Sequence, residues 1–243
     1  MALELHPLEQ FTIEPLIPIH IGKLDASFTN SALFMTVAVA LIGGLILFGT
    51  RKAALVPDRW QSLTELAYEF IAGMIDDNVG HEGREYFAFI FSLFMFILFG
   101  NLLGMLPYGF TFTSHIIVTF ALAALVFIGV TIIGIVKHGW HFLSLFVPAG
   151  VPKALLLLLV PIELLSYLIR PFTLSIRLFA NMMAGHTMLA IFAGFVAVLG
   201  IFGIGPLFVD VLLIFLELLV AVLQAYVFTI LTCLYLRDAI HLH

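Results

Sequence analysis

One arginine stands inside a long apolar segment of the C-terminal third of the chain. Residues 174–186 read LSIRLFANMMAGH, so Arg177 is surrounded by Leu, Ile, Phe, Ala and Met. A charged side chain at the centre of a bilayer costs about 2.5–3.5 kcal/mol on insertion scales, and charges kept there mark functional sites. Arg177 is therefore the first candidate functional residue.

Polar residues repeat at a spacing of seven in two apolar segments. The first series is Glu163, Arg170 and Arg177, and the second is Asp210, Glu217 and Gln224. An α-helix has 3.6 residues per turn, so a step of seven residues returns to within about 20° of the same face. Each series therefore predicts one polar stripe along a helix. Asn181 lies one turn beyond Arg177 and stays near the first stripe.

The two segments predict a hairpin that turns near residue 203. This register separates Arg177 from the level of Glu217 by roughly 18 Å. It brings His186, which points away from the Arg177 face, within side-chain reach of Glu217. An acid and an imidazole are expected to meet while the arginine stands apart. Two simpler alternatives stay open, an Arg177–Glu217 ion pair and a His186 bonded to a backbone carbonyl or a water.

This arrangement is suited to directed proton movement. A carboxylate beside a histidine can relay protons near neutral pH. Glu163 and Ser166 lie nearer the other end of the first arm, so the chain can supply two half-paths that do not join. A cation between them repels protons and attracts a carboxylate carried past it by a partner. Each proton that crosses 100 mV delivers about 2.3 kcal/mol, which a direct leak would waste.

The composition places these residues in a membrane. Of 243 residues, 63% are hydrophobic and 10% are charged, whereas soluble domains average about 25% charged residues. Apolar runs long enough to cross a bilayer cover 32–49, 86–106, 115–136 and most of 154–236. They do not alternate as barrel strands do. The sequence predicts an all-α integral membrane protein, with no surface for nucleic acid.

The distribution of charge predicts the orientation. The segment before the first apolar run holds Glu4, Glu9, Glu14 and Asp25 against a single lysine. Basic residues follow the first and third apolar runs, at Arg51, Lys52, Arg59 and Lys137. Positive loops stay on the inner side, so the N-terminus is expected outside.

We expect one membrane domain over residues 1–243. Its predicted parts are an outer segment 1–31, a first span 32–50, an inner-surface amphipathic helix 57–79, a transmembrane hairpin 86–136 and a final hairpin 154–238. The surface helix is expected to begin at Pro57 and Asp58. Its apolar face should carry Leu63, Leu66, Phe70 and Met74.

Glycines shape the two hairpins. Pro107 and Gly109 predict an outer turn in the first, and Gly100 and Gly104 suit close packing. Gly200, Gly203, Gly205 and Pro206 divide the last run into two long arms. The second arm, 207–236, would be about 45 Å long against about 30 Å of hydrocarbon, which predicts a steep tilt held by neighbouring protein.

The residues around Arg177 also carry a specific resemblance. SIRLFANMMAGH, followed further along the chain by Glu217 and Gln224, resembles subunit a of F-type ATP synthases, as do the PLEQF opening and FGNLLGMLPY. In that family a membrane stator forms two aqueous half-channels against a ring of proteolipid c subunits. The resemblance implies that Arg177 is the essential arginine and that Asn181, His186, Glu217 and Gln224 are channel residues. Glu163 and Ser166 match the inner path.

The resemblance has further implications. Arg170 and Asp210 match less closely, and a purely structural role is their alternative. Partners are expected to be the c ring, subunit b of the peripheral stalk, the F1 sector through that stalk, lipid and protons. The chain has the acid and the histidine exchanged relative to some bacterial members. Its HPLEQF opening favours a bacterial inner membrane, with a mitochondrial inner membrane as the alternative.

The chain itself is not expected to catalyse a reaction. It contains no GxxxxGK[ST] phosphate loop, so nucleotide chemistry belongs to other subunits. No cofactor is expected, because the histidines lack the paired arrangement of a haem protein and KHGWH and HLH lack further metal ligands. The main alternative function is a self-contained proton or sodium transporter, although the sequence shows no inverted repeat.

Overall fold

The computed structural model describes residues 11–18, 20–21, 24–25, 27–51, 54–106, 109–147 and 153–241. Its helices are α1 (Asn30–Thr50), α2 (Arg59–Asn78), α3 (Phe87–Gly104), α4 (Ile116–His138), α5 (Lys153–Leu199) and α6 (Ile204–Ile240). All of these except α2 belong to segments long and apolar enough to cross a membrane. The predicted fold class, an all-α multi-pass membrane protein, is confirmed.

The outer N-terminal segment contains strands that the sequence analysis did not predict. β1 (Pro15–Ile17) pairs antiparallel with β4 (Phe28–Thr29), and β2 (His20–Ile21) pairs with β3 (Leu24–Asp25). Asn30 joins this segment to α1, because its side-chain amide donates to the Thr12 carbonyl at 3.0 Å. Glu4, Glu9, most of PLEQF, Lys52, Pro107 and the last two residues of HLH lie outside the described residues.

Helix α2 begins where the sequence predicted. The Asp58 carboxylate accepts a hydrogen bond from the backbone N–H of Arg59 at 2.7 Å and caps the helix. The side of α2 that packs against the protein carries Ile71, Met74 and Ile75, which are buried. Of the four predicted apolar positions, Met74 is buried, and the partly exposed Phe70 ring lies 5.7 Å from that of Phe94, centroid to centroid. Leu63, Leu66 and, in part, Phe70 are exposed and leave an apolar surface of the kind that a membrane-surface helix presents.

Polar side chains connect the transmembrane helices. The Asn101 side-chain amide of α3, fully buried, donates to the Ala221 carbonyl of α6 at 3.0 Å. The Thr119 and Ser175 hydroxyls, 3.1 Å apart, join α4 to α5. Thr131 and Tyr167 form a second α4–α5 link at 2.6 Å. In addition, helix α6 packs against α3, α4 and α5.

The first long helix has the predicted length, whereas the second extends beyond the predicted range 207–236 at both ends. Helix α5 has 47 residues and α6 has 37, which correspond to about 70 Å and 55 Å. They meet at the predicted glycine turn, a 3-10 turn at Gly200–Gly203 where Gly200 has a φ of 56°. Helix α6 includes Pro206 because a proline in the first turn loses no intrahelical hydrogen bond. Pro161 and Pro171 interrupt the hydrogen bonding of α5 and favour bends.

One end of the helix bundle, the end that the charge pattern places on the inner side, contains several polar contacts. At this end Lys137 pairs with Glu82, and the His138 ring lies 2.9 Å from the Ile240 carbonyl. At this inner end Arg84 also pairs with Asp76 at 2.6 Å, and its hydrogen bond lowers the pKa of the Asp76 carboxyl. The other end contains the α3–α4 loop and the α5–α6 turn. Lys137 therefore lies at the opposite end from the α3–α4 loop, and the assignment of these ends to the two sides of the membrane stays a prediction.

A methyl group added at Gly100 should destabilise the protein. Its Cβ would overlap the ring of Phe112, which is fully buried in the outer loop, and overpacking costs about 1–3 kcal/mol. Gly129→Ala is the matched control, because nothing lies within 4 Å of a Cβ there. We expect Gly100→Ala alone to lower the midpoint of thermal unfolding in detergent. Equal midpoints for both variants would contradict this packing.

Candidate functional site

A histidine and a glutamate meet across the α5–α6 hairpin. His186 Nδ1 lies 3.0 Å from Glu217 Oε1, and the two residues are 9% and 4% exposed. The pair lies symmetrically about the Gly200–Gly203 turn. Gly185 makes room for the acid, because a Cβ there would lie 2.8 Å from Oε1. The predicted meeting of acid and imidazole is confirmed, and the alternative of an Arg177–Glu217 pair is not what the structure shows.

The Glu217 carboxylate has no well-aligned donor. His186 Nδ1 is close to it, but within the described part of the chain neither oxygen accepts a hydrogen bond of good geometry. Buried polar atoms in proteins are nearly always hydrogen-bonded. An ionisable exception inside an apolar helix is typical of a functional site.

The outer loop supplies a further contact that the sequence analysis missed. The Thr111 hydroxyl lies 2.7 Å from His186 Nε2, and Thr111 is 5% exposed. The Phe11 ring of the N-terminal segment lies 6.3 Å from the imidazole, centroid to centroid. His186 is therefore enclosed from the outer side of the bundle. No local signal marks Thr111, because it is far from His186 along the chain and resembles its neighbouring threonines.

Arg177 stands apart from this pair. Its side chain is exposed, and no acidic side chain among the described residues lies within 4.0 Å of its guanidinium. Further along α5, His186 is buried on the opposite face of the helix, as the helical geometry predicted. Asn181 lies half-buried between them.

The second polar series follows the packed face of α6. Asp210 is half-buried, and Glu217 and Gln224 are buried. Asp210 Oδ1 is also buried, with no hydrogen-bond partner among the residues described. The predicted stripe on α6 therefore faces into the bundle.

The first polar series divides into different environments. Arg170 pairs with Asp238 at 3.1 Å, and its guanidinium carbon lies 5.4 Å from the Tyr167 ring centre and 4.9 Å from that of Tyr235. This arginine joins the inner parts of α5 and α6, which favours the structural alternative for it. Glu163 is half-buried and Ser166 exposed, and both lie further toward the inner end of α5.

The chain is similar in sequence to proteins of one known family. Residues 32–237 match the family model described as ATP synthase A chain. A protein named ATP synthase subunit a from Paramagnetospirillum magneticum is 56% identical over 98% of this chain and 99% of its own length. Proteins of the same name from Parvibaculum lavamentivorans and Pelagibacter ubique are 59% and 56% identical. These alignments cover 97% and 98% of this chain, and 93% and 98% of the relatives.

The Arg170–Asp238 pair can be tested by exchanging its charges. Arg170→Asp or Asp238→Arg alone places like charges together, whereas the double variant restores an ion pair. A half-exposed pair is worth about 0.2–1 kcal/mol, and the ring contacts of Arg170 add about 0.5–1 kcal/mol. We expect each single variant to lower the thermal midpoint in detergent and the double variant to recover part of the loss. A double variant less stable than both singles would contradict the pairing.

Proposed function

The chain belongs to the ATP synthase A chain family, and from this membership and the site geometry we propose that it forms two offset proton half-channels separated by Arg177. Membership makes the chain a membrane subunit of the Fo sector, with a role in proton translocation. It also makes the chain non-catalytic, because nucleotide chemistry belongs to other subunits. Its long apolar helices are those of a multi-pass protein.

The exposed guanidinium of Arg177, which pairs with none of the described acids, is the observation that carries the proposal. A cation on an apolar helix surface needs an anion or water. The described acids of this chain do not supply the anion, whereas a carboxylate on a neighbouring rotor would. Two opposite charges 4 Å apart attract by about 4 kcal/mol at an effective dielectric constant near 20. An ionised rotor carboxylate is therefore held at Arg177, and a free proton is repelled.

The outer half-channel in this proposal ends at His186 and Glu217. The carboxylate and the imidazole can each hold a proton, so a proton from the outer side moves from the pair to the rotor carboxylate. The neutralised carboxyl group can then leave Arg177 and enter lipid. Asn181 and Gln224 supply hydrogen-bonding groups on the same part of the hairpin.

The inner half-channel is assigned to Glu163 and Ser166. They lie on α5 about 21 Å and 17 Å in level from Arg177 toward the inner end. A rotor carboxyl group that returns from the lipid releases its proton on this side and is ionised again before it meets Arg177. Passage from one half-channel to the other then requires rotation of the ring.

The proposal implies partners and a location. The rotor is a ring of c-subunit proteolipids, and subunit b connects this stator to the F1 sector. The relatives compared above are bacterial, which favours the bacterial inner membrane over the mitochondrial one. Among the described residues, no feature of the site favours the self-contained transporter.

Replacing Arg177 tests the separation of the half-channels. We expect Arg177→Ala to abolish ATP-driven proton pumping in inverted membrane vesicles, because the charge that holds the rotor carboxylate is lost. Hydrolysis by detached F1 should be unchanged. Arg59→Ala, which removes an exposed arginine at the start of α2, is the control and should pump normally. Normal pumping by Arg177→Ala would contradict the proposal.

Exchanging the paired residues tests the outer half-channel. Glu217→His together with His186→Glu keeps one acid and one imidazole in contact. We expect the double variant to pump protons at least several-fold faster than either single variant. The same loss in all three variants, at equal amounts of assembled complex, would show that the pair does not act as a unit.

A further inference from the structure

The contact between the outer loop and His186 has a consequence for the proton path. We propose that the Thr111 hydroxyl is a positioning group for this path, which holds the His186 imidazole with its Nδ1 edge toward Glu217. The proposal rests on the proposed function of the His186–Glu217 pair. It adds a residue of the outer loop to a site otherwise formed by α5 and α6.

The two edges of the imidazole face different partners. Nε2 lies 2.7 Å from the Thr111 hydroxyl, and Nδ1 lies 3.0 Å from the Glu217 carboxylate. A neutral imidazole has one donor and one acceptor nitrogen, and a charged one has two donors. A hydroxyl group can donate or accept by rotation about its C–O bond. Thr111 therefore stays bonded to Nε2 in every protonation state while Nδ1 remains directed at Glu217.

The loop holds Thr111 in a fixed relation to Glu217. The Ser114 hydroxyl donates to the Thr111 carbonyl at 2.6 Å. Thr113 donates to the Asn101 side-chain oxygen at 2.8 Å, and the amide of Asn101 donates to the backbone of α6 one turn beyond Glu217. These hydrogen bonds connect the loop segment that carries Thr111 to the turn of α6 that follows Glu217.

A glycine leaves space for the hydroxyl. A Cβ at Gly104 would overlap the Thr111 side chain, so a glycine at this position of α3 permits the observed contact. The Thr111 side chain is short and buried, and the Thr111 backbone carbonyl is hydrogen-bonded. Rotation of the hydroxyl group is therefore the main motion left to this side chain. Rotation of the hydroxyl about the C–O bond allows Thr111 either to donate a hydrogen bond to the histidine or to accept one from it.

The test compares side chains that differ in the hydroxyl. Thr111→Val keeps the shape of threonine without its hydroxyl, Thr111→Ser keeps the hydroxyl, and Thr111→Ala matches serine without it. Thr232→Val is the control, because Thr232 is equally buried and its hydroxyl bonds only within α6 among the residues described. Each variant is placed in the whole complex, and proton pumping and passive proton flux after F1 removal are measured in inverted vesicles.

We expect Thr111→Val and Thr111→Ala to reduce proton flux about tenfold, as the loss of one hydrogen bond to a charged group predicts. Thr111→Ser should retain at least half of the flux, and Thr232→Val all of it. Normal flux in Thr111→Val and Thr111→Ala would overturn the inference, as would equal loss in all three Thr111 variants. Loss of the chain from membranes in both hydroxyl-free variants would make Thr111 a folding residue and would also overturn it.

His186→Ala in the same vesicles separates this inference from the proposed function. If His186→Ala pumps normally, the proposed role of the pair fails. If His186→Ala is impaired while Thr111→Val pumps normally, only the role of Thr111 fails.

Discussion

The cost of placing a charge in apolar surroundings governs where this chain can hold its ionisable side chains. Helix α5 carries two arginines on one helical series, and each meets this cost differently. Arg170 lies against Asp238 and two tyrosine rings, so its charge is compensated within the chain. Arg177 is exposed and has no described acid within ion-pair distance. Under the proposed function, the carboxylate that compensates the Arg177 charge belongs to the rotor ring.

The same cost applies to the buried pair formed by Glu217 and His186. Glu217 and His186 are brought together by a hairpin far longer than the hydrocarbon is thick. One glycine and one loop hydroxyl lie against the pair. Gly185 gives space to the carboxylate, and Thr111 reaches the imidazole from the outer loop. The loop that connects α3 to α4 therefore contributes a side chain to the site.

The sequence predicted the features that depend on helical periodicity. The spacing of seven and the glycine cluster were sufficient to place Glu217 beside His186 and to separate both from Arg177. The contacts of Thr111 with His186 and of Asp238 with Arg170 were not predictable, because Thr111 and Asp238 carry no local signal. For α2 the spacing predicted an apolar face, but not which residues pack against the protein. Its Leu63, Leu66 and Phe70 form an apolar face, but apolar residues in a membrane protein can face lipid as well as protein.

The proposed pairing of Arg177 with a rotor carboxylate can be tested by a structure of the intact complex in its membrane. Electron microscopy at a resolution that shows side chains would provide it. The measured quantity is the distance from the Arg177 guanidinium to the surrounding carboxylates. We expect the nearest carboxylate to belong to the rotor ring and Glu217 still to contact His186. An Arg177 bound to an acid of its own chain and turned away from the ring would contradict it.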